Sequence, residues 1–212
     1  MCQRLIFDIE VEVLDFSSLI TYMTIHRHFI LHKPYGYLSQ FKLITNKKKK
    51  LLGELHDFPD NTMAIGRLDK ASEGLLLLTT DGKVSSFINS KKVEKEYYAQ
   101  VDGIMTPAAL ATMQKGVEIG FHGQRYLTKP CQAACLKTSP NFPTRTHKIR
   151  DDRHGPTSWV SITLTEGKYK QVRKMTAAVG FPTLRLFRVR IGSILLEDLK
   201  AGEVLEVEDF GI

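Results

Sequence analysis

Hydrophobic residues along this chain fall mainly in short runs and alternations. Phe29-Ile30-Leu31 is an apolar run closed by Lys33-Pro34-Tyr35-Gly36, where proline and glycine favour a turn. Residues 38–43 read as a resumed strand and 51–55 as one helical turn before Pro59. An apolar run arriving at Gly66-Arg67-Leu68-Asp69 and a continuous one, Leu75-Leu76-Leu77-Leu78, then bracket one arginine and one carboxylate. The second run has no polar position, which fits a strand covered on both faces. Residues 95–101 alternate, with Tyr97, Ala99 and Val101 on one face and Tyr98 and Gln100 on the other. One or two strands are expected over 124–137 and another over 159–164. A strand over 183–191 carries Arg185, Arg188 and Arg190 on one basic face, and two short strands close the chain around 199–202.

Helical spacing appears in three places. Residues 83–89 put Val84, Phe87 and Ile88 on one face. Thr106-Pro107 is an N-cap followed by proline at the first helical position, and that helix stops at Gly116. Residues 169–179 turn Val172, Met175, Thr176 and Val179 inward, with Lys170, Arg173 and Lys174 around the first turns. Strands dominate and hairpin-length turns join many neighbours, so the fold class is α+β with a mainly antiparallel mixed sheet flanked by a few helices. Residues 1–24 fit this pattern poorly and are expected to form a loosely ordered extension; 25–212 read as one domain.

Composition excludes several classes. Apolar content of 42% and charged content of 25% are ordinary for a globular chain of 212 residues. No apolar run approaches the length of a membrane helix. Asp8, Glu10, Glu12 and Asp15 argue against a secretory signal or a basic transit peptide, so a cytoplasmic location is expected. With three cysteines a disulfide framework is not expected. Cys131 and Cys135 lack a second Cys/His pair at ligand spacing, so they read as buried small residues and no metal site is expected. His26, His28 and His32 alternate without a nearby carboxylate and read as solvated or packing residues.

Charge is the uneven feature. Residues 121–190 hold 14 Lys and Arg against 3 Asp and Glu, a net +11, so the remainder of this +7 chain carries −4. Such asymmetry points to a polyanionic partner or to a solvated basic face. Residues 137–156, with three prolines and cations that include Lys148 and Arg150, are long enough to be a loop that orders on RNA. Asp69 admits two readings from its surroundings. It is a turn residue bonded to backbone N–H groups, or a carboxylate kept between buried strands for chemistry.

Three motifs in order decide between them. Gly66-Arg67-Leu68-Asp69 with Ser72-Glu73-Gly74-Leu75-Leu76-Leu77-Leu78-Thr79 resembles the signature of the RsuA-like rRNA pseudouridine synthases. Lys95-Glu96-Tyr97 resembles that family's second motif, and Leu164-Thr165-Glu166-Gly167-Lys168-Tyr169-Lys170-Gln171-Val172-Arg173-Lys174-Met175 its third. The match runs from about Phe29 to Val207. Lys33-Pro34-Tyr35, Pro156-Thr157-Ser158-Trp159 and Gly180-Phe181-Pro182-Thr183-Leu184-Arg185-Leu186 are similar to a large-subunit branch, synthase E, that lacks the usual S4 domain.

The resemblance implies a pseudouridine synthase catalytic domain over 25–212 with a central RNA cleft. It implies isomerisation of a uridine in 23S rRNA, free or in a pre-ribosomal large-subunit particle, by a monomer with no metal, nucleotide cofactor or membrane. Asp69 is then the catalytic carboxylate, acting on C1′ directly or on a sugar proton toward a glycal. Tyr97 packs under the flipped base, and Arg173 is expected at near-contact distance from Asp69, keeping it ionised. Arg67 enters the space the base leaves. Lys33, Lys168, Lys170, Lys174, Arg185, Arg188, Lys148 and Arg150 are the expected phosphate contacts. A non-catalytic rRNA-binding or assembly factor on the same scaffold, and a synthase for another RNA, are the alternatives.

Overall fold

The structure is a computed structural model in which residues 26–42, 48–90, 93–145, 149 and 152–212 are described. The expected extension over 1–24 therefore lies outside the described residues, as do Lys148 and Arg150. In chain order the first elements are β1 (His28–Lys33), β2 (Met63–Ile65), β3 (Glu73–Thr79), α1 (Gly82–Asn89), β4 (Lys95–Asp102) and α2 (Pro107–Lys115). There follow β5 (Glu118–Phe121), β6 (Gln124–Leu127), β7 (Gln132–Cys135), β8 (Thr157–Leu164), α3 (Gln171–Ala178), β9 (Thr183–Ile191), β10 (Ile194–Leu195) and β11 (Val204–Val207). The main sheet runs β11-β1-β3-β9-β4-β8-β7, with β2 on β3 and β10 on β9; β5 and β6 form a separate hairpin. Among the described strands only β3 and β9 pair in parallel. This is the α+β, mainly antiparallel mixed sheet that the strand pattern predicts.

The apolar run at 75–78 is the middle of β3, every residue of which is buried. Both its faces are covered. Leu75 and Leu77 pack with Ile65, Ile88 and Phe187, while Leu76 and Leu78 pack with Phe29, Leu31, Leu52 and Leu68. A third cluster lies under β4 and β8, where Ala99, Val101, Val160 and Ile162 meet Met113 of α2 and Val172 and Met175 of α3. The backbone pairing of β3 with β9 is confined to Glu73 and Gly74, and the approach there is close. A Cβ on Gly74 would lie 2.3 Å from the Arg188 carbonyl oxygen, and its φ of +102° also requires glycine. Asp81 caps α1, accepting from the backbone N–H groups of Lys83 at 2.7 Å and Val84 at 3.4 Å; Thr106 caps α2.

Several expectations are corrected. The strand foreseen from residue 38 does not form. Tyr37 and Lys50 make an isolated bridge; the Leu38 N–H donates to the Lys50 carbonyl and the Leu52 N–H to that of Gln40. On α1, Phe87 is exposed and only Ile88 is fully inside. Helix α3 begins at Gln171, two residues later than its spacing implies. Lys170 adopts the left-handed conformation, and the Gln171 side chain accepts from the Lys168 N–H. β9 has no outward basic face. Arg185 and Arg188 are buried and Arg190 pairs with Glu94 and Glu96. Cys131 is half-buried and Cys135 exposed, rather than both inside. His28 and His32 pack inside the fold, and His32 Nδ1 lies 2.6 Å from the Leu199 carbonyl oxygen. The described start of the long loop is seated on the sheet: Phe142 stacks on Phe187 at 3.8 Å, and the Pro143 carbonyl accepts from Arg185.

Candidate active site

The β2–β3 connection, residues 66–72, carries Asp69 and is clamped from several sides. Gly66 at φ +69° turns the chain out of β2. Ser39 both donates to the Leu68 carbonyl and accepts from the Leu68 N–H, each at 3.0 Å. The Gly36 N–H donates to the Lys70 carbonyl at 2.8 Å. Lys33 donates to the Ser72 carbonyl at 2.7 Å and to that of Pro34 at 2.9 Å. Arg173 donates to the Ala71 carbonyl at 3.0 Å, to that of Thr183 at 3.3 Å and to Ser72 Oγ at 3.4 Å. A loop whose carbonyls are held by one buried and one half-buried cation presents its carboxylate in a fixed place.

Asp69 is half-buried and faces a cleft of about 400 Å³. Tyr97 on β4 borders the same cleft, with Leu164, Val172 and Leu186 as apolar wall. The register of β4 against β9 shifts between Glu96 and Tyr97. Such irregularities re-aim a side chain, and here Tyr97 turns toward Asp69's cleft. Arg173 and Asp69 border a continuation of the cleft, but no ion pair joins them among the described residues. The Arg173 guanidinium directs its hydrogen bonds to the carbonyls of Ala71 and Thr183 and to Ser72 Oγ. Burial lowers the Arg173 pKa, while the Asp69 charge opposes that through space.

The expected phosphate contacts separate into two sets. Arg67 and Lys170 are exposed at the cleft and Lys168 is half-buried beside it, while Lys174, also half-buried, lies over the ring of the cleft-lining Tyr169. Lys168 lies over the rings of Phe121 and Tyr126, and Lys174 donates to the Gly120 carbonyl at 2.6 Å. Both tie the β5–β6 hairpin to the cleft. Lys33, Arg185 and Arg188 are inside instead. Arg185 makes a two-pronged pair with Glu73, at 2.9 and 3.0 Å, and Lys33 is wholly buried, so neither offers a free cation to solvent. Burial pulls the Lys33 pKa down to about 7 against the charges of Glu73 and Asp69.

Sequence reasoning missed Glu166. It borders the cleft at 6% exposure and accepts from Tyr126 Oη, the Lys129 N–H and Gln171 Nε2, at 2.7, 2.9 and 2.6 Å. Burial raises its pKa, but these donors more than reverse that and leave it lowered. It is thus a second carboxylate at the cleft, yet one committed to holding the hairpin against the start of α3. Its place before the Gly167 turn is the only sequence signal; Ser39 has none.

This geometry has known counterparts. The model describing the RNA pseudouridylate synthase family matches residues 27–178. A Vibrio vulnificus protein named ribosomal large subunit pseudouridine synthase E is 39% identical over 180 residues, which cover 84% of this chain and 74% of that one. A Xanthomonas axonopodis pv. citri protein of the same name is 40% identical over 172 residues, 80% of this chain and 88% of that one. The crystal structure of a pseudouridylate synthase superposes with a TM-score of 0.67 at 30% identity, covering 86% of this chain and 70% of the other. The chain therefore belongs to the RNA pseudouridylate synthase family and is an isomerase that forms pseudouridine in RNA.

Proposed function

We propose that this enzyme isomerises one uridine of 23S ribosomal RNA, in the cytoplasm, with Asp69 as its catalytic carboxylate. The observation that carries the reading is the clamped 66–72 loop, which presents Asp69 to a cleft shared with Tyr97. The names of the relatives at 39% and 40% identity support the large-subunit substrate.

In the reaction the C1′–N1 bond breaks, the uracil turns, and a C1′–C5 bond forms. The proton lost from C5 is matched by one gained at N1, so no donor or oxidant is consumed. The target base must leave its stack to reach Asp69. Arg67, exposed two residues before Asp69, fills the vacated place. Tyr97 and the apolar wall hold the uracil ring while Asp69 meets the positive charge that develops at C1′. Arg173 acts through the loop and through its charge. Lys170 and Lys174 carry the flanking phosphates.

The test is a pseudouridine map of ribosomal RNA from a strain lacking the gene, restored with wild type or with Asp69→Ala. One 23S position is expected to lose its mark, regain it with wild type, and stay unmodified with Asp69→Ala although the variant folds. A map with every site present in the deleted strain would sink the ribosomal reading, and full restoration by Asp69→Ala would sink the role of Asp69.

A further inference from the structure

A second cavity of about 280 Å³ adjoins the catalytic cleft. Arg67, Tyr97 and Lys168 border both, so the two spaces share a wall. On its far side lie Asn89, Lys95 and Arg188. Arg188 is directly opposite Tyr97 across the β4–β9 pair, which places the two side chains on one face of the sheet.

The charge in this cavity is not balanced. Arg188 is 3% exposed; its Nε donates to the Leu75 carbonyl at 2.7 Å, but Nη2 meets no acceptor among the described residues. Lys95 donates to the carbonyls of Ile88, Val93 and Ser90, at 2.9, 2.8 and 3.5 Å, and has no carboxylate partner among the described residues. Burial, and then the charge of Arg188, bring its pKa down to about 8. The one carboxylate on the cavity wall, Glu166, is already committed to three donors. Glu73, nearby in the sheet, is held by Arg185. A buried cation with an orphaned N–H and a half-buried one beside the same open space are costly unless an anion completes them.

We propose that this cavity is an anion subsite that takes a backbone phosphate adjoining the target uridine, with Arg188 and Lys95 supplying the charge. The inference rests on the reading that the neighbouring cleft holds a flipped uridine of ribosomal RNA. It adds a point of register. A phosphate seated beside Arg188 fixes the ribose on the other side of Tyr97, and so fixes which sugar carbon meets Asp69.

The test measures binding of Asp69→Asn, which holds RNA without turnover, to a short 23S fragment around the mapped uridine. In a matched set of RNAs, one phosphodiester at a time is replaced by a neutral methylphosphonate. One linkage beside the target is expected to weaken binding about tenfold, the size of one charge-assisted contact. Asn89→Asp, an exposed position, puts a carboxylate into the cavity without removing a buried cation. In Asp69→Asn/Asn89→Asp the same linkage should cost less than about twofold, because the subsite is already filled. An equal penalty in both proteins, or no linkage that stands out, overturns the proposal. A separate arm titrates inorganic phosphate against chloride at matched ionic strength and reads the melting temperature. A saturable rise in wild type that Asn89→Asp abolishes supports the subsite even if no ribosomal fragment binds, in which case only the ribosomal reading falls. Flat or identical titrations, with no binding of the fragment, overturn the subsite.

Discussion

Lys33 is wholly buried, with its ammonium between the carbonyls of Pro34 and Ser72 and under the charges of Glu73 and Asp69. Its folded pKa, about 7, lies below the ordinary lysine value of 10.5. The unfolded chain therefore binds the extra proton between those values, and stability rises with pH across that window; below about 7 the full cost of charging the buried amine is present. Compared with Lys33→Met, wild type should gain about 2 kcal/mol in urea unfolding between roughly pH 7.5 and 9. A flat difference would show that Lys33 stays charged throughout. The same variant releases the Ser72 carbonyl and with it one end of the loop that aims Asp69. Turnover should fall about tenfold or more, since small misplacements near reacting atoms are expensive.

At the scale of elements the weak seam is between β3 and β9, which pair only at Glu73 and Gly74. The Glu73–Arg185 pair bridges it, at 6% and 8% side-chain exposure, and Arg185 continues to the Pro143 carbonyl of the long loop. Such a pair is worth little against an apolar replacement, but removing one partner strands a buried charge. Arg185→Met alone should destabilise by about 3–5 kcal/mol. Arg185→Met with Glu73→Gln should recover a large part of that loss in denaturant melts, and simple additivity of the two changes would refute a coupled pair. The seam joins the half of the sheet that carries the Asp69 loop to the half that carries Tyr97, so the single variant should also lose activity beyond its loss of folded protein.

For the molecule as a whole, the basic half read from the sequence is partly internal. Arg185 contributes to the +11 of residues 121–190 yet lies inside, paired with Glu73, so the outward field comes from fewer cations than the count implies. Lys170 is exposed at the mouth of the cleft and over the Tyr169 ring, itself exposed. Lys170→Gln should leave the melting temperature unchanged and weaken RNA binding at low salt. It should also flatten the plot of log Kd against log salt by about 0.7, one lost phosphate contact on a single strand. An unchanged salt slope would place the RNA path away from Lys170.

Sequence alone determined the fold class, most strands and helices, and the three motifs around Asp69, Tyr97 and Arg173. The elements follow from local signals: alternation, an uninterrupted apolar run, and Thr106-Pro107 with Gly116; the motifs were legible only through their resemblance to a family. Only the tertiary structure decided which cations stay exposed, because an arginine's partner can lie far along the chain: Glu73 and Arg185 are 112 residues apart. It also moved the start of α3 to Gln171, seated the long loop on Phe187, and bound Arg173 to carbonyls rather than to Asp69. Glu166 and Ser39 could be found in no other way, since a hydrogen bond from a distant backbone leaves no periodicity behind. Burial decides whether a charge is a ligand contact, a clamp or an orphan, and burial is a property of packing rather than of local sequence.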